Sequence, residues 1–275
     1  MKYSLTEPFH VVLKRTKRLF QKKDGHMSTL DKLRLRFLKT GDHINSYKIF
    51  GYPVSFSFHP YWFRHSYKEI FEEEVYKFKS SNPNPVIIDC GSNIGLSIIY
   101  FKKLFPEARI IAFEPDDKIF NLLQNNLAAF NYSDVTLVNK AVWNSATVLK
   151  FDSTGGMGGS VLNNASSANR VIEIQAIRLR DYLVHPVAFL KIDIEGAEIP
   201  VLEDCKDRLN IVENLFVEYH CYPKQSQELV KLLSIVQEAG FRYYIRQASE
   251  NMQFPFVEKH GRYCDIQLNI FCFRD

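Results

Sequence analysis

Apolar and polar positions follow two rhythms along these 275 residues. In the first eighty, Val54, Phe56 and Phe58 fall on one side of Gly51–Phe58, the period-two pattern of a strand. Tyr67, Ile70, Phe71 and Val75 are spaced for one helical face across Ser66–Lys79. The run Ser80-Ser81-Asn82-Pro83-Asn84-Pro85 then interrupts the chain with turn formers and two prolines. Beyond it the apolar runs turn short and continuous, as in strands buried on both faces. They are Val86–Ile88, Arg109–Phe113, Val135–Val138, Val187–Ile192 and Leu215–Glu218, with Phe241–Ile245 and Ile266–Phe273 to follow. Helical periods lie between them: Ile94–Leu104, a helix after Asp116 as N-cap with Phe120, Leu123, Leu127 and Phe130 on one face, and Pro223–Ala239.

Strands interleaved with helices in this way predict an α/β fold. The sheet is expected to be doubly wound, seven-stranded and mostly parallel, with a C-terminal antiparallel strand. Thr147–Arg178 breaks the rhythm with β-like runs and reads as an inserted β-hairpin at about 147–178. The expected division is an N-terminal α/β extension over residues 1–80 and a main domain over 81–275.

Charge sharpens that division. The net charge of +4 conceals eleven Lys or Arg against three acids in residues 1–40, a local +8, which leaves −4 for the rest. An acidic body argues against a broad nucleic-acid surface. Phe9–Phe20 sets Val11, Val12 and Leu19 among Lys14, Arg15, Lys17 and Arg18. A solvated arm or an oligomer contact is the favoured reading of residues 1–40; peripheral contact with the anionic inner face of a membrane is the alternative. The five cysteines form no CxxC pair, so neither a disulfide framework nor a zinc site is expected. With no apolar run long enough for a leader or a span, the expectation is a cytoplasmic protein.

Ligands of such sheets bind beyond the carboxyl ends of the strands. The first buried strand ends in Asp89-Cys90-Gly91-Ser92-Asn93-Ile94-Gly95 and enters a helix; the second ends in Phe113-Glu114-Pro115. The glycines allow a sharp turn and leave room for a ligand. Glu114, 23 residues after Gly91, is placed to accept both hydroxyls of an adenosine ribose. GxxxG stands where a dinucleotide fold needs GxGxxG, and there is no phosphate-binding lysine motif. A ribose without phosphate fits better, which means S-adenosylmethionine. The strand Phe189-Leu190-Lys191-Ile192-Asp193 exits into Ile194-Glu195-Gly196-Ala197-Glu198, where buried charge must be used or paired. Glu198 reads as the ordinary acid of a helix start. His220, in Val217-Glu218-Tyr219-His220, faces the same crevice.

These segments, VIIDCGSNIGLS, IIAFEPD, LVNKAVWN, FLKIDIEGAE and FVEYH, in this order and spacing resemble the FkbM-type S-adenosylmethionine-dependent methyltransferases over roughly residues 65–248. Ser92 stands where that family usually has alanine. The resemblance implies a Rossmann-like class I fold and methylation of hydroxyls on sugars, polyketides and related products. It implies Asp89, Gly91, Asn93, Gly95 and Ser97 at the methionine and ribose end of the cofactor. Glu114 would hold the ribose hydroxyls, with Pro115 also on the cofactor, Ala141 would lie near the adenine, and Asp193 near the transferred methyl. Lys191, Glu195 and His220 would stand in the acceptor half.

Methyl transfer needs the acceptor oxygen held in line with the methyl and relieved of its proton. His220 is the first candidate for the base, because its ordinary pKa lies near neutrality; Asp193 or Glu195 is the second. No resident metal is assigned, and a magnesium ion held by Asp193, Glu195 and Glu218 ranks below the base. The expected acceptor is a carbohydrate or glycan hydroxyl. The alternatives are a polyketide or peptide natural product, or a non-catalytic cofactor-binding protein on the same fold. Gly155-Gly156-Met157-Gly158-Gly159-Ser160 reads equally as a lid or an idle loop. Tyr61-Trp62-Phe63-Arg64-His65 reads as packing in preference to a sugar platform.

Overall fold

The computed structural model describes residues 26–38, 43–152, 160–161, 171–223, 225–261 and 263–274. The basic segment 9–20 and the glycine run 155–159 lie outside the described residues. The chain forms two compact units, Met1–Val75 and Tyr76–Asp275.

In the smaller unit, α1 (Thr29–Arg36) is capped by Ser28, whose hydroxyl accepts from the Asp31 amide. Strands β1 (Asn45–Ile49) and β2 (Tyr52–Phe56) form an antiparallel hairpin. Phe50 and Gly51 turn between them at φ 49° and 90°, both in the left-handed region that tight hairpins require. Gly51 therefore belongs to the turn and not to the strand expected over Gly51–Phe58. Helix α2 (Pro60–Tyr67) starts where His59 Nδ1 accepts from the Tyr61 amide, with Pro60 in the first helical position. It widens into one π turn over Lys68–Glu72. The helix expected over Ser66–Lys79 thus lies some six residues earlier: its apolar face was visible, but the Pro60 start signal decides where it begins. Phe56 and Phe63 stack at 4.2 Å in this unit's core, while Tyr61 and Trp62 stay exposed.

The larger unit holds β3 (Val86–Cys90), β4 (Arg109–Phe113), β5 (Thr136–Val138), β6 (Ala141–Trp143), β7 (Thr147–Asp152), β8 (Ser160–Val161) and β9 (Val171–Arg178). After these come β10 (Val187–Ile192), β11 (Val212–Cys221), β12 (Arg242–Gln247) and β13 (Ile266–Phe273). Seven make the main sheet in the order β12-β13-β11-β10-β3-β4-β5, with β13 antiparallel to both its neighbours. Its helices are α3 (Leu96–Leu104), α4 (Asp117–Ala129), α5 (Glu198–Cys205), α6 (Leu229–Glu238) and α7 (Pro255–Glu258). This is the doubly wound α/β sheet that the rhythm predicts. The inserted hairpin β7/β9 is present and grows into a four-stranded sheet, β6-β9-β7-β8, around Ala141, Phe151, Ile174 and Ala176.

Side chains on β10 alternate between two buried layers. Leu190 and Ile192 join the large core with Ile88, Cys90, Val217 and α5. Phe189 faces the other way into an aromatic layer with Tyr76, Phe78 and Phe101. Asp116 caps α4 as expected, accepting from the Lys118 and Ile119 amides. That helix buries Ile119, Leu122 and Leu123 and leaves Phe120 half-buried. Among the described residues no helix is long and apolar enough to cross a membrane. All five cysteines are free and buried.

Candidate active site

From β3 the chain steps outward to β4 and β5, then returns to place β10 on the other side of β3. The order reverses between β3 and β10, so a crevice opens beyond their carboxyl ends. On one side of that reversal the loop after β3 folds over the tip of β4. The Gly91 and Ser92 amides donate to the Phe113 carbonyl at 3.0 and 2.9 Å. Gly91 and Gly95 have φ of 85° and 93°. A Cβ on Gly91 would stand 1.9 Å from the Asp193 carbonyl oxygen, and one on Gly95 2.7 Å from Leu123 Cδ1. At Gly91 the protein's own backbone occupies the place of a Cβ, and at both positions the left-handed φ favours glycine.

Glu114 ties this half together. Its Oε2 accepts from the Asn93 amide and its Oε1 from the Asp116 amide, each at 3.0 Å. Burial pushes its pKa up to about 7, against the pull of those two amides. Beside it, Asn139 Nδ2 donates to the carbonyls of Glu114 and Pro115 at 3.1 and 3.3 Å. Pro115, Asp116, Asn139, Ile172 and Ile174 line a cavity of about 270 Å³ between the tip of β4 and the inserted sheet.

The tips of β10 and β11 are built differently, from side chains that meet side chains. His220 Nδ1 is 3.1 Å from Glu198 Oε1. Its Nε2 is 3.5 Å from Glu218 Oε1 and 3.6 Å from Glu195 Oε2. Gln267, on β13, donates to Glu218 Oε1 at 2.6 Å and lies 3.3 Å from His220 Nε2. Tyr222 donates its hydroxyl to Glu195 at 2.7 Å. Burial would strip the ring of its proton, but Glu195, Glu198 and Glu218 hold its pKa well above the usual histidine value. Burial and the Glu218 charge push Asp193 up to about 8. Asp193, Glu195 and His220 bring one donor atom each within 4.8 Å of one another. The ring nitrogen takes the place in that trio that the sequence suggested for Glu218.

The model of the methyltransferase FkbM domain matches residues 89–243. The chain belongs to the FkbM methyltransferase family. It is 28% identical to methyltransferase sdnD of Sordaria araneosa over 188 residues, 55% of this chain and 73% of that protein. It is 30% identical to methyltransferase 1 of Beauveria bassiana over 179 residues, 55% and 71% of the two chains. To the 2-O-methyltransferase NoeI of Sinorhizobium fredii it is 26% identical over 157 residues, 50% of this chain and 64% of that one.

Within the FkbM domain all the expected residues but Gly95 and Ala141 fall into three groups. Gly91, Asn93, Glu114 and Pro115 gather around the tips of β3 and β4, and Asp193, Glu195 and His220 around the tips of β10 and β11. Asp89, Ser97 and Lys191 lie beneath the β3 loop. Asp89 is enclosed, not at the mouth: its Oδ2 accepts from Ser97 Oγ at 2.5 Å, and its Oδ1 lies 3.2 Å from Lys191 Nζ. Lys191 donates to the Gly91 carbonyl at 2.9 Å and sits 3.3 Å from Asp193. Burial disfavours its charge, but Asp89 and Asp193 raise its pKa above the ordinary lysine value. It is a pin under the loop rather than a group of the acceptor half. Ala141 turns its methyl into the small core of the inserted sheet, and Asn139, two residues earlier, borders the cavity instead. Glu198 begins α5 as the sequence suggests and is also the partner of His220. Gln267 carried no signal, because only the pairing of β13 with β11 brings it to His220.

Proposed function

We propose that this methyltransferase uses S-adenosylmethionine to methylate a hydroxyl of a carbohydrate or glycan. The carrying observation is the division of the crevice into a side built on backbone amides and a side built on ionisable side chains. The first side suits the donor. Glu114 spends two of about four acceptor directions on amides, which leaves two for ribose hydroxyls. The cavity beside Pro115 and Asn139 has room for a base. On this reading Glu114 would hold the ribose, Asn139 and Pro115 would border the adenine, and Gly91, Asn93 and Asp193 would border the methionine.

S-adenosylmethionine, when bound, supplies a methyl group on a positively charged sulfur. The acids at the tips of β10 and β11 favour that charge. An in-line displacement asks mainly that the acceptor oxygen be held behind the methyl. Glu195, Glu218 and Gln267 offer both acceptors and a donor to a molecule with several hydroxyls. His220 Nε2 takes the proton of the attacking hydroxyl. Its raised pKa makes the free ring a stronger proton acceptor and moves activity above neutral pH. The name of the relative NoeI, a 2-O-methyltransferase, supports transfer to oxygen.

Two measurements test the reading. S-adenosylmethionine and S-adenosylhomocysteine should raise the melting temperature by mass action; no shift with either removes the enzyme reading. Mass spectrometry of glycans from a host with and without the active gene should show a gain of one methyl. A methyl gained instead on a polyketide or peptide product moves the acceptor to that class.

A further inference from the structure

Glu198 is the first residue of α5 and 1% exposed. A carboxylate so enclosed requires partners. Its Oε1 has two, the Gly196 amide at 3.0 Å and His220 Nδ1 at 3.1 Å. The helix N-terminus favours negative charge at this place. An ionised carboxylate can only accept, so Nδ1 carries a hydrogen. Nε2 is then the nitrogen left for the crevice.

The groups around that nitrogen suit both protonation states. Gln267 Nε2, a donor at 3.3 Å, matches a ring with a lone pair on Nε2. Glu218 and Glu195, acceptors at 3.5 and 3.6 Å, match a protonated ring. A proton carrier needs partners in each state, and this ring has them. Asp193, Glu195, Glu198, Glu218, Tyr222 and Cys264 are the ionisable groups that act on it, with Gln267 as the neutral donor. Among the described residues Glu198 is the one that contacts Nδ1.

We propose that Glu198 is a positioning residue, which holds Nδ1–H of His220 and so leaves Nε2 as the only ring nitrogen able to take the acceptor's proton. The inference rests on the proposed methyltransferase reading with His220 as proton acceptor. It assigns a role to a residue in which the sequence showed only a helix start.

The test uses the full chain with Glu198→Gln, and Glu198→Asp as a second variant that keeps the charge. Histidine labelled with ¹⁵N reports the tautomer and pKa of His220 without any acceptor. In the wild type Nδ1 stays protonated through the titration. In Glu198→Gln the His220 pKa falls by about one unit or more and both tautomers appear; Glu198→Asp lies between. With S-adenosylmethionine and methyl glycosides as substrates, kcat of Glu198→Gln falls at least ~10-fold, while KM for S-adenosylmethionine stays within about twofold. The ascending limb of kcat/KM moves to lower pH, which a merely structural role would not produce. An unchanged tautomer and an unchanged His220 pKa in Glu198→Gln overturn the proposal. A wild type that binds no S-adenosylmethionine by calorimetry fails the functional reading instead, and the ¹⁵N result still decides the role of Glu198.

Discussion

The two sides of the crevice hold their acids by different means. Glu114 is gripped by the amides of Asn93 and Asp116, two loops that follow adjacent strands. Glu195, Glu198 and Glu218 are gripped by Tyr222, His220 and Gln267, side chains contributed by β11, the segment after it and β13. Backbone amides hold a fixed geometry whatever the pH. Side-chain networks are polarisable and titrate, and they are the arrangement a proton-handling half requires. On the proposed reading, the contrast teaches that the donor half is shaped by chain path and the acceptor half by residue identity. Substitutions should separate the two.

The largest effect is expected at Gly91, where chain path dominates. Gly91→Ala puts a methyl into the Asp193 carbonyl at a φ that L-residues avoid, and should cost ~3 kcal/mol or more in chemical denaturation. It should damage both halves together, since the clash joins the tips of β3 and β10. His220→Ala should lower turnover by about 10²–10⁴-fold and leave affinity for S-adenosylmethionine within about twofold. If that variant keeps full turnover while EDTA abolishes it, the proton does not pass through the imidazole. Glu114→Gln should do the reverse, weakening S-adenosylmethionine binding by ~10–100-fold with little change in the rate of the bound complex.

Glu114 also predicts two pH trends of opposite sign. Its folded pKa of about 7 lies above the ordinary 4.5, so between those values the folded chain binds the extra proton. Its contribution to stability is therefore present below pH 4.5 and lost as pH rises through 7. Ribose binding needs the carboxylate, so affinity should rise over the same window. Denaturation and calorimetry at pH 5 and pH 8 check the pair; parallel trends would remove Glu114 from the ribose. The smallest effect is expected for Tyr222→Phe, which removes one donor to Glu195 and should change kcat by only a few-fold.

Legibility in the sequence follows the same division. Asp89, Gly91, Asn93 and Glu114 stand at strand exits separated by one βα unit, so hydrophobic rhythm alone places them on one edge. The apolar spacing of Tyr67, Ile70 and Phe71 points to a later helix, and the local start signal at Pro60 outranks it. The dipole of α5 suffices to account for an acid at Glu198, and only the fold brings His220 against it. Gln267 was illegible in principle, because its role depends on the register of an antiparallel strand paired 47 residues away from His220. Glycines raised the opposite difficulty. The sequence marked Gly91 and Gly95 as important, and only the distances to Asp193 and Leu123 reveal that the crowding is internal.

The place of β13 imposes an order on the making of the enzyme. It is the last strand of the sheet to leave the ribosome, yet it sits between β11 and β12. A nascent chain released as far as β12 already contains every residue that grips Glu114. It still lacks Gln267, and one edge of β11, a strand ten residues long, has no neighbour. Open strand edges recruit other chains. If the Glu114 side binds the methyl donor as proposed, that side is complete while the other is both unfinished and adhesive, and a chain clipped before Ile266 would be a binder prone to aggregation rather than a slow enzyme.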